Sequence, residues 1–164
     1  PDIITCAKGI ANGAPCGLTI ATDEIASSFK GTTISTFGGN PVSSTAGLAT
    51  VEYIEKNDLK KNAKVVGDYL RDRLNELKEK YPVIGDVRGM GLMQAIELVG
   101  ENKKPAPLET EKIMEKTKDN GLLIGRSGLF KNVLRIAPPL NISKDDIEIG
   151  IDILDKAFEE VSQG

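Results

Sequence analysis

Between Asp58 and Lys80 apolar side chains recur at Leu59, Ala63, Val66, Leu70, Leu74 and Leu77, at steps of three and four. That spacing puts one apolar stripe on a helix, and the stripe needs a second layer to pack against. The next stretch supplies it: "PVIGDVRGMGLMQAIELV" reads as two extended runs around the glycine-punctuated "GDVRGMG". A long amphipathic helix followed by short strands points to a layered α/β fold.

The same alternation continues downstream. "GENKKPAP" is an exposed, charged loop with two prolines, and "LETEKIMEKTKDN" is a helix stopped by Gly121. "GLLIGR" and "VLRIAPP" are expected strands on either side of a loop holding Gly128, with Pro138 and Pro139 ending the second. Ser143, with Asp146 three residues on, signals a capping box for a last helix. Its stripe of Ile147, Ile151, Leu154, Phe158 and Val161 should dock on those strands.

The first part of the chain has a different texture. "DIITC" and "GLTIAT" are short β-branched strands with glycines and Pro15 between them, and "TISTFGGNP" breaks regular structure. Pro41 suits the first helical position of a helix over 42–56 that has small residues on one side. The expected division is therefore a glycine-rich, loop-rich segment over 1–50 and an αβ unit over 51–164. No internal repeat is visible. The opening "PDIIT" has no initiator Met and enters a β-branched run at once, which reads as a fragment or a processed piece.

Histidine is absent from the chain, which removes Ser-His-Asp and Cys-His nucleophiles and any Cys/His zinc set. Cys6 and Cys16 lie too close in sequence to staple a scaffold, so a reducing, cytosolic setting fits best. A net charge of -3 without a block of like charge gives no footprint for nucleic acid or an anionic membrane. No apolar run approaches the ~18 residues of a membrane span. Catalysis would have to rest on lysine, carboxylates or a cofactor.

One lysine stands out. In "TCAKGIANGAPCG" Lys8 ends a strand among small and apolar residues, with Gly9, Gly13 and Gly17 nearby to let a flat ring approach the backbone. A lysine with a lowered pKa condenses with carbonyls, including the aldehyde of pyridoxal phosphate. Most strand-end lysines are simply exposed, so a second feature is needed. It comes in "STFGGNP", where Thr36 offers a hydroxyl and the Gly38-Gly39-Asn40 turn can aim amides at a phosphate ahead of a helix.

Taken in order, "PDIITCAKGIANGAPCG", "TFGGNP", "VRGMGLM" and "LRIAPPLNIS" closely resemble the C-terminal part of the class III, or omega-type, aminotransferases. The resemblance covers the whole chain and looks nearest to the alanine-glyoxylate and 4-aminobutyrate branches. It implies an α/β fold, the C-terminal part of a fold type I pyridoxal-phosphate enzyme. Residues 1–50 would be the tail of the large cofactor domain, and 51–164 the small C-terminal αβ domain with the interdomain helix.

By the same resemblance Lys8 matches the Schiff-base lysine and proton shuttle. Thr36 matches the threonine that binds the phosphate of pyridoxal 5'-phosphate and reaches into the neighbouring subunit's site, which implies a homodimer. Arg135 matches the arginine that receives a substrate carboxylate, with a structural ion pair as the alternative. Arg88 matches a recurrent position for which a structural role is favoured, and Arg126 reads as a surface residue.

The implied parent activity is ping-pong transfer of an amino group from an amino acid or omega-amine to a 2-oxo acid. The implied location is cytoplasmic, or the mitochondrial matrix given a transit peptide. The family's glycine-rich phosphate loop, ring-stacking aromatic residue and pyridine-nitrogen aspartate have no counterpart in these residues, so the chain alone is expected to be inactive. An aminomutase of the glutamate-1-semialdehyde type and a non-catalytic dimerisation module are the alternatives.

Overall fold

Leu59–Lys80 forms a single helix, and its predicted stripe is the buried side: Leu59, Val66, Leu70, Leu74 and Leu77 are all inside. The computed structural model describes residues 1–163. Two compact units divide at Asp58/Leu59, with Pro1–Asp58 in the first and Leu59–Gly164 in the second.

The first unit pairs β1 (Ile3–Cys6) antiparallel with β2 (Leu18–Ala21). Between them Lys8–Ala11 makes a 3-10 turn. After β2 comes α1 (Asp23–Ser28), capped by Thr22 and carrying Asp23 and Glu24 in its first turn. The sequence reading had no element there. α2 (Pro41–Lys56) starts at the expected proline, with the Asn40 side chain accepting from the Ser43 N–H at 3.0 Å. It runs unbroken through residue 50.

The second unit is a four-stranded antiparallel sheet backed by helices. Its long helix, α3 (Leu59–Lys80), leads into β3 (Ile84–Met90) and β4 (Met93–Leu98). Next come α4 (Pro107–Asp119), β5 (Gly125–Ser127), β6 (Val133–Ile136) and α5 (Lys144–Ser162). Strand order is β3-β4-β6-β5, so β6 inserts between the hairpin and β5. The expected strand "GLLIGR" pairs only from Gly125. Leu122 and Ile124 are half-buried against the core with Leu123 exposed between them, so the segment alternates like a strand but has no ladder partner before Gly125.

Side chains of α3, α4 and α5 meet one face of this sheet around Leu74, Ile96, Leu98, Ile113, Leu134 and Phe158, each fully buried. The Phe158 ring stacks on Tyr81 at 5.2 Å. α3 approaches the β3–β4 turn so closely that a Cβ at Gly67 would overlap the backbone of Gly91. α5 begins with the capping box read from sequence: the Asp146 N–H donates to Ser143 Oγ at 3.1 Å and the Ser143 N–H donates back to Asp146.

Candidate active site

Lys8 opens the 3-10 turn with φ 56°, a left-handed conformation that costs a non-glycine residue on the order of 1 kcal/mol. The turn is held by hydrogen bonds from the Ile10 N–H to the Ala7 carbonyl and from the Asn12 N–H to the Gly9 carbonyl. Ala11, at its end, is buried beneath α2 and faces Gly47. Ala11 is thus the anchor and Lys8 the projection: its side chain is exposed and makes no ion pair among the described residues. Lys8 is thus exposed within its own unit, the ordinary state of a strand-end lysine.

Thr36 is exposed on the turn that precedes α2. Here the Gly38 N–H bonds back to the Ser35 carbonyl, Gly39 takes φ 68°, and the Asn40 side-chain amide donates to the Phe37 carbonyl at 2.9 Å. The amides of Gly38 and Ser43 are therefore already engaged and Pro41 has none, while the exposed Thr36 hydroxyl and the amides of Gly39 and Asn40 have no hydrogen bond among the described residues. A groove in this unit is lined by Cys16, Gly17, Phe37, Gly39, Ser43 and Leu48 among others, and neither Lys8 nor Thr36 lines it. The structure does not gather the two into one cavity.

In the second unit the arginines separate cleanly. Arg126 reaches Glu111 on α4 at 3.2 Å. Arg88 contacts Asp86 at 3.0 Å and Glu97 at 2.6 Å, and these carboxylates, Asp86 first, raise its pKa further. Arg135 makes no ion pair or side-chain hydrogen bond among the described residues.

Arg135 sits on β6 with Ala95 and Gly125 as its cross-strand partners, and Ala95 in turn faces Arg88. Cross-strand partners share a face, so all four project on the side of the sheet away from α3, α4 and α5. Two of them are small, which leaves a shallow cleft lined by Arg88, Ala95, Ser127 and Arg135. A free guanidinium on a rigid central strand, flanked by small residues, is equipped to take a carboxylate in a bidentate fork. Sequence reading missed the contributions of Ala95, Glu97 and Gly125, which only the strand register reveals.

The family model of aminotransferase class-III matches residues 1–158. The chain belongs to the class III aminotransferases.

Similarity to individual members is spread over several chemistries. An Arabidopsis thaliana protein named alanine–glyoxylate aminotransferase 2 homolog 2, mitochondrial, is 49% identical over 98% of this chain and 34% of its own length. A Pyrococcus horikoshii alanine/serine racemase is 41% identical over 100% of this chain and 35% of its own length. Among solved structures, a phospholyase from Arthrobacter in complex with phosphoethanolamine superposes with a TM-score of 0.92 at 34% identity, covering 97% of this chain and 39% of that one. The chain thus spans about a third of the length of the curated relatives it matches.

Pyridoxal phosphate is the cofactor of class III aminotransferases. The donor set suits its two ends: a primary amine with no ion pair among the described residues for the aldehyde, and an exposed threonine hydroxyl beside a glycine turn for the phosphate.

Proposed function

We propose that this chain works as the C-terminal part of a pyridoxal-phosphate-dependent aminotransferase that moves an amino group from an amino acid or omega-amine to a 2-oxo acid in ping-pong fashion. The observation that carries the reading is the class III match over residues 1–158, a span that includes Lys8, Thr36 and Arg135. Residues 1–50 then serve as the tail of the large cofactor domain and 51–164 as the small domain.

Bound at Lys8, the cofactor supplies an electron sink for the bonds of the substrate's amino-bearing carbon. The remaining tasks fall to the chain. Lys8 Nζ holds the cofactor and then carries a proton to and from that carbon. Thr36 Oγ1 donates to the phosphate of a neighbouring subunit's site, which makes the working unit a homodimer. The Arg135 guanidinium binds the donor's carboxylate in a bidentate fork.

Residues 1–164 alone are expected to turn nothing over, because the remaining two-thirds of the relatives' length has no counterpart here. Among the described residues no helix is long and apolar enough to cross a membrane. The name of the Arabidopsis relative carries the word mitochondrial, which supports a mitochondrial location for this protein.

The test uses the full-length protein loaded with cofactor, an amino acid donor and glyoxylate. Release of a free 2-oxo product, lost at least ~1,000-fold in Lys8→Ala, is the expected outcome, in line with removal of a group that both holds the cofactor and transfers the proton. An amino group that returns to the same molecule with no keto product would assign the protein to aminomutase chemistry instead, and inversion of the donor's α-carbon with its amino group kept in place would assign it to racemase chemistry. The racemase relative makes that second arm worth running.

A further inference from the structure

On the open face of the sheet a carboxylate lies diagonal to the Arg135 guanidinium, which has no ion pair among the described residues. Glu97 stands two residues along β4 from Ala95 and pairs in register with Val133, while Ala95 pairs with Arg135. Glu97 and Arg135 are therefore diagonal cross-strand neighbours on the same face, a separation of about 7–8 Å between backbones that two long side chains can close. Left alone, they would form an ion pair and occupy the fork needed for a ligand.

They do not pair because Glu97 is engaged elsewhere. Its carboxylate takes Arg88 Nη1 at 2.6 Å, and the Asn132 side-chain amide approaches its other oxygen at 3.4 Å. Asp86, the second acid on this face, is held by the same Arg88 at 3.0 Å and by Lys78 at 3.9 Å. Gly125 leaves room beside the Arg135 guanidinium, which lies over it at ordinary van der Waals distance, 3.5 Å from a Cβ built there.

We propose that Arg88 is a positioning residue for the substrate carboxylate: by holding Glu97 it keeps Arg135 unpaired and open to an anionic ligand. The proposal builds on Arg135 as the carboxylate receiver and goes beyond it by giving a task to an arginine that otherwise reads as structural. The task is electrostatic, so a lysine at position 88 should still perform it, whereas an apolar side chain of similar length should not.

Two readouts on the full-length protein test it separately. The first is labelling of Arg135 by phenylglyoxal, which attacks free guanidinium groups, followed by peptide mass spectrometry. In Arg88→Met the labelling rate of Arg135 should fall several-fold, in Arg88→Lys it should stay near the parent rate, and in Arg88→Met/Glu97→Gln it should recover. Equal rates in the parent and Arg88→Met would overturn the proposal, as would failure of the double variant to recover when both variants keep the parent far-UV circular dichroism.

The second readout is kinetic. Arg88→Met should raise KM for an amino acid donor ~10-fold with kcat little changed, the size of one lost charge-assisted contact, and Glu97→Gln should reverse it. The KM for an amine lacking a carboxylate should not move. Labelling that follows the expected pattern while KM stays insensitive to the donor's carboxylate would retain the sequestration and discard Arg135 as the carboxylate receiver.

Discussion

Pro1–Asp58 contains two strands and two helices yet buries one side chain, Ala11, among its described residues. Leu59–Gly164 encloses Leu74, Ile96, Leu98, Ile113, Leu134 and Phe158 completely. Local signals are equally good in both: Asn40 caps α2 as Ser143 caps α5. The difference lies in whether apolar faces find one another. α3 and α5 carry stripes that meet the sheet, while in the first unit Ile34, Phe37 and Val42 stay 89%, 82% and 78% exposed. Caps and β-branched runs decide that an element forms, and complementary faces decide that it encloses a core.

The sharpest way to break this contrast is to cut into the core. Phe158→Ala removes a fully buried ring that stacks on Tyr81 and should cost about 3–5 kcal/mol in denaturant unfolding. Phe37→Ala, on an exposed turn, should stay within about 0.5 kcal/mol. Comparable losses from both would mean that the first unit shares a cooperative core.

Two glycine substitutions in helices probe the same contrast at smaller scale. Gly67→Ala forces a methyl into the Gly91 backbone and should destabilise by about 1–3 kcal/mol despite alanine's better helix propensity. Gly47→Ala meets only Ala11 and the Ile10 carbonyl at 3.9 Å, so propensity wins and α2 should gain up to ~1 kcal/mol, read from amide hydrogen exchange in that helix. Effects of the same sign would contradict the packing described for one of them.

The smallest effect is acid sensitivity in the second unit. Burial alone would raise the Asp155 pKa, but hydrogen bonds from Lys80 and Tyr81 hold it below the ordinary carboxylate value. Glu148 is lowered by Arg73 and then Tyr69, which bind α3 to α5. A carboxyl depressed in the folded state adds stability that is present above its unfolded pKa near 4 and is lost as pH falls through the folded value. Unfolding midpoints should therefore drop as pH goes from about 5 to below 3. Glu148→Gln should flatten that slope and cost under about 1 kcal/mol at neutral pH, as suits a partly exposed pair. A midpoint that does not change with acid would remove these clamps from the account of stability.

Much of the second unit was legible in sequence because its signals are periodic: the α3 and α5 stripes and the Ser143–Asp146 box all appear where spacing put them. α1 escaped because six residues hold less than two helical turns of pattern, although Thr22 followed by two acids was available as a start signal. "GLLIGR" misled because apolar composition cannot distinguish a paired strand from an approach that fills the core. The site was readable in a different way. Lys8, Thr36 and Arg135 stand out through resemblance, whereas the freedom of Arg135 depends on the register that sets Glu97 beside it and Arg88 within reach of Glu97, which no local pattern encodes.

The most direct measurement is to load the full-length protein with pyridoxal phosphate, fix the cofactor with borohydride and map the modified lysine by mass spectrometry. Modification of Lys8 alone, at one cofactor per chain and abolished in Lys8→Ala, is the expected result. Stoichiometric modification at any other lysine, with Lys8 recovered unlabelled, would contradict the assignment of Lys8 as the residue that holds the cofactor.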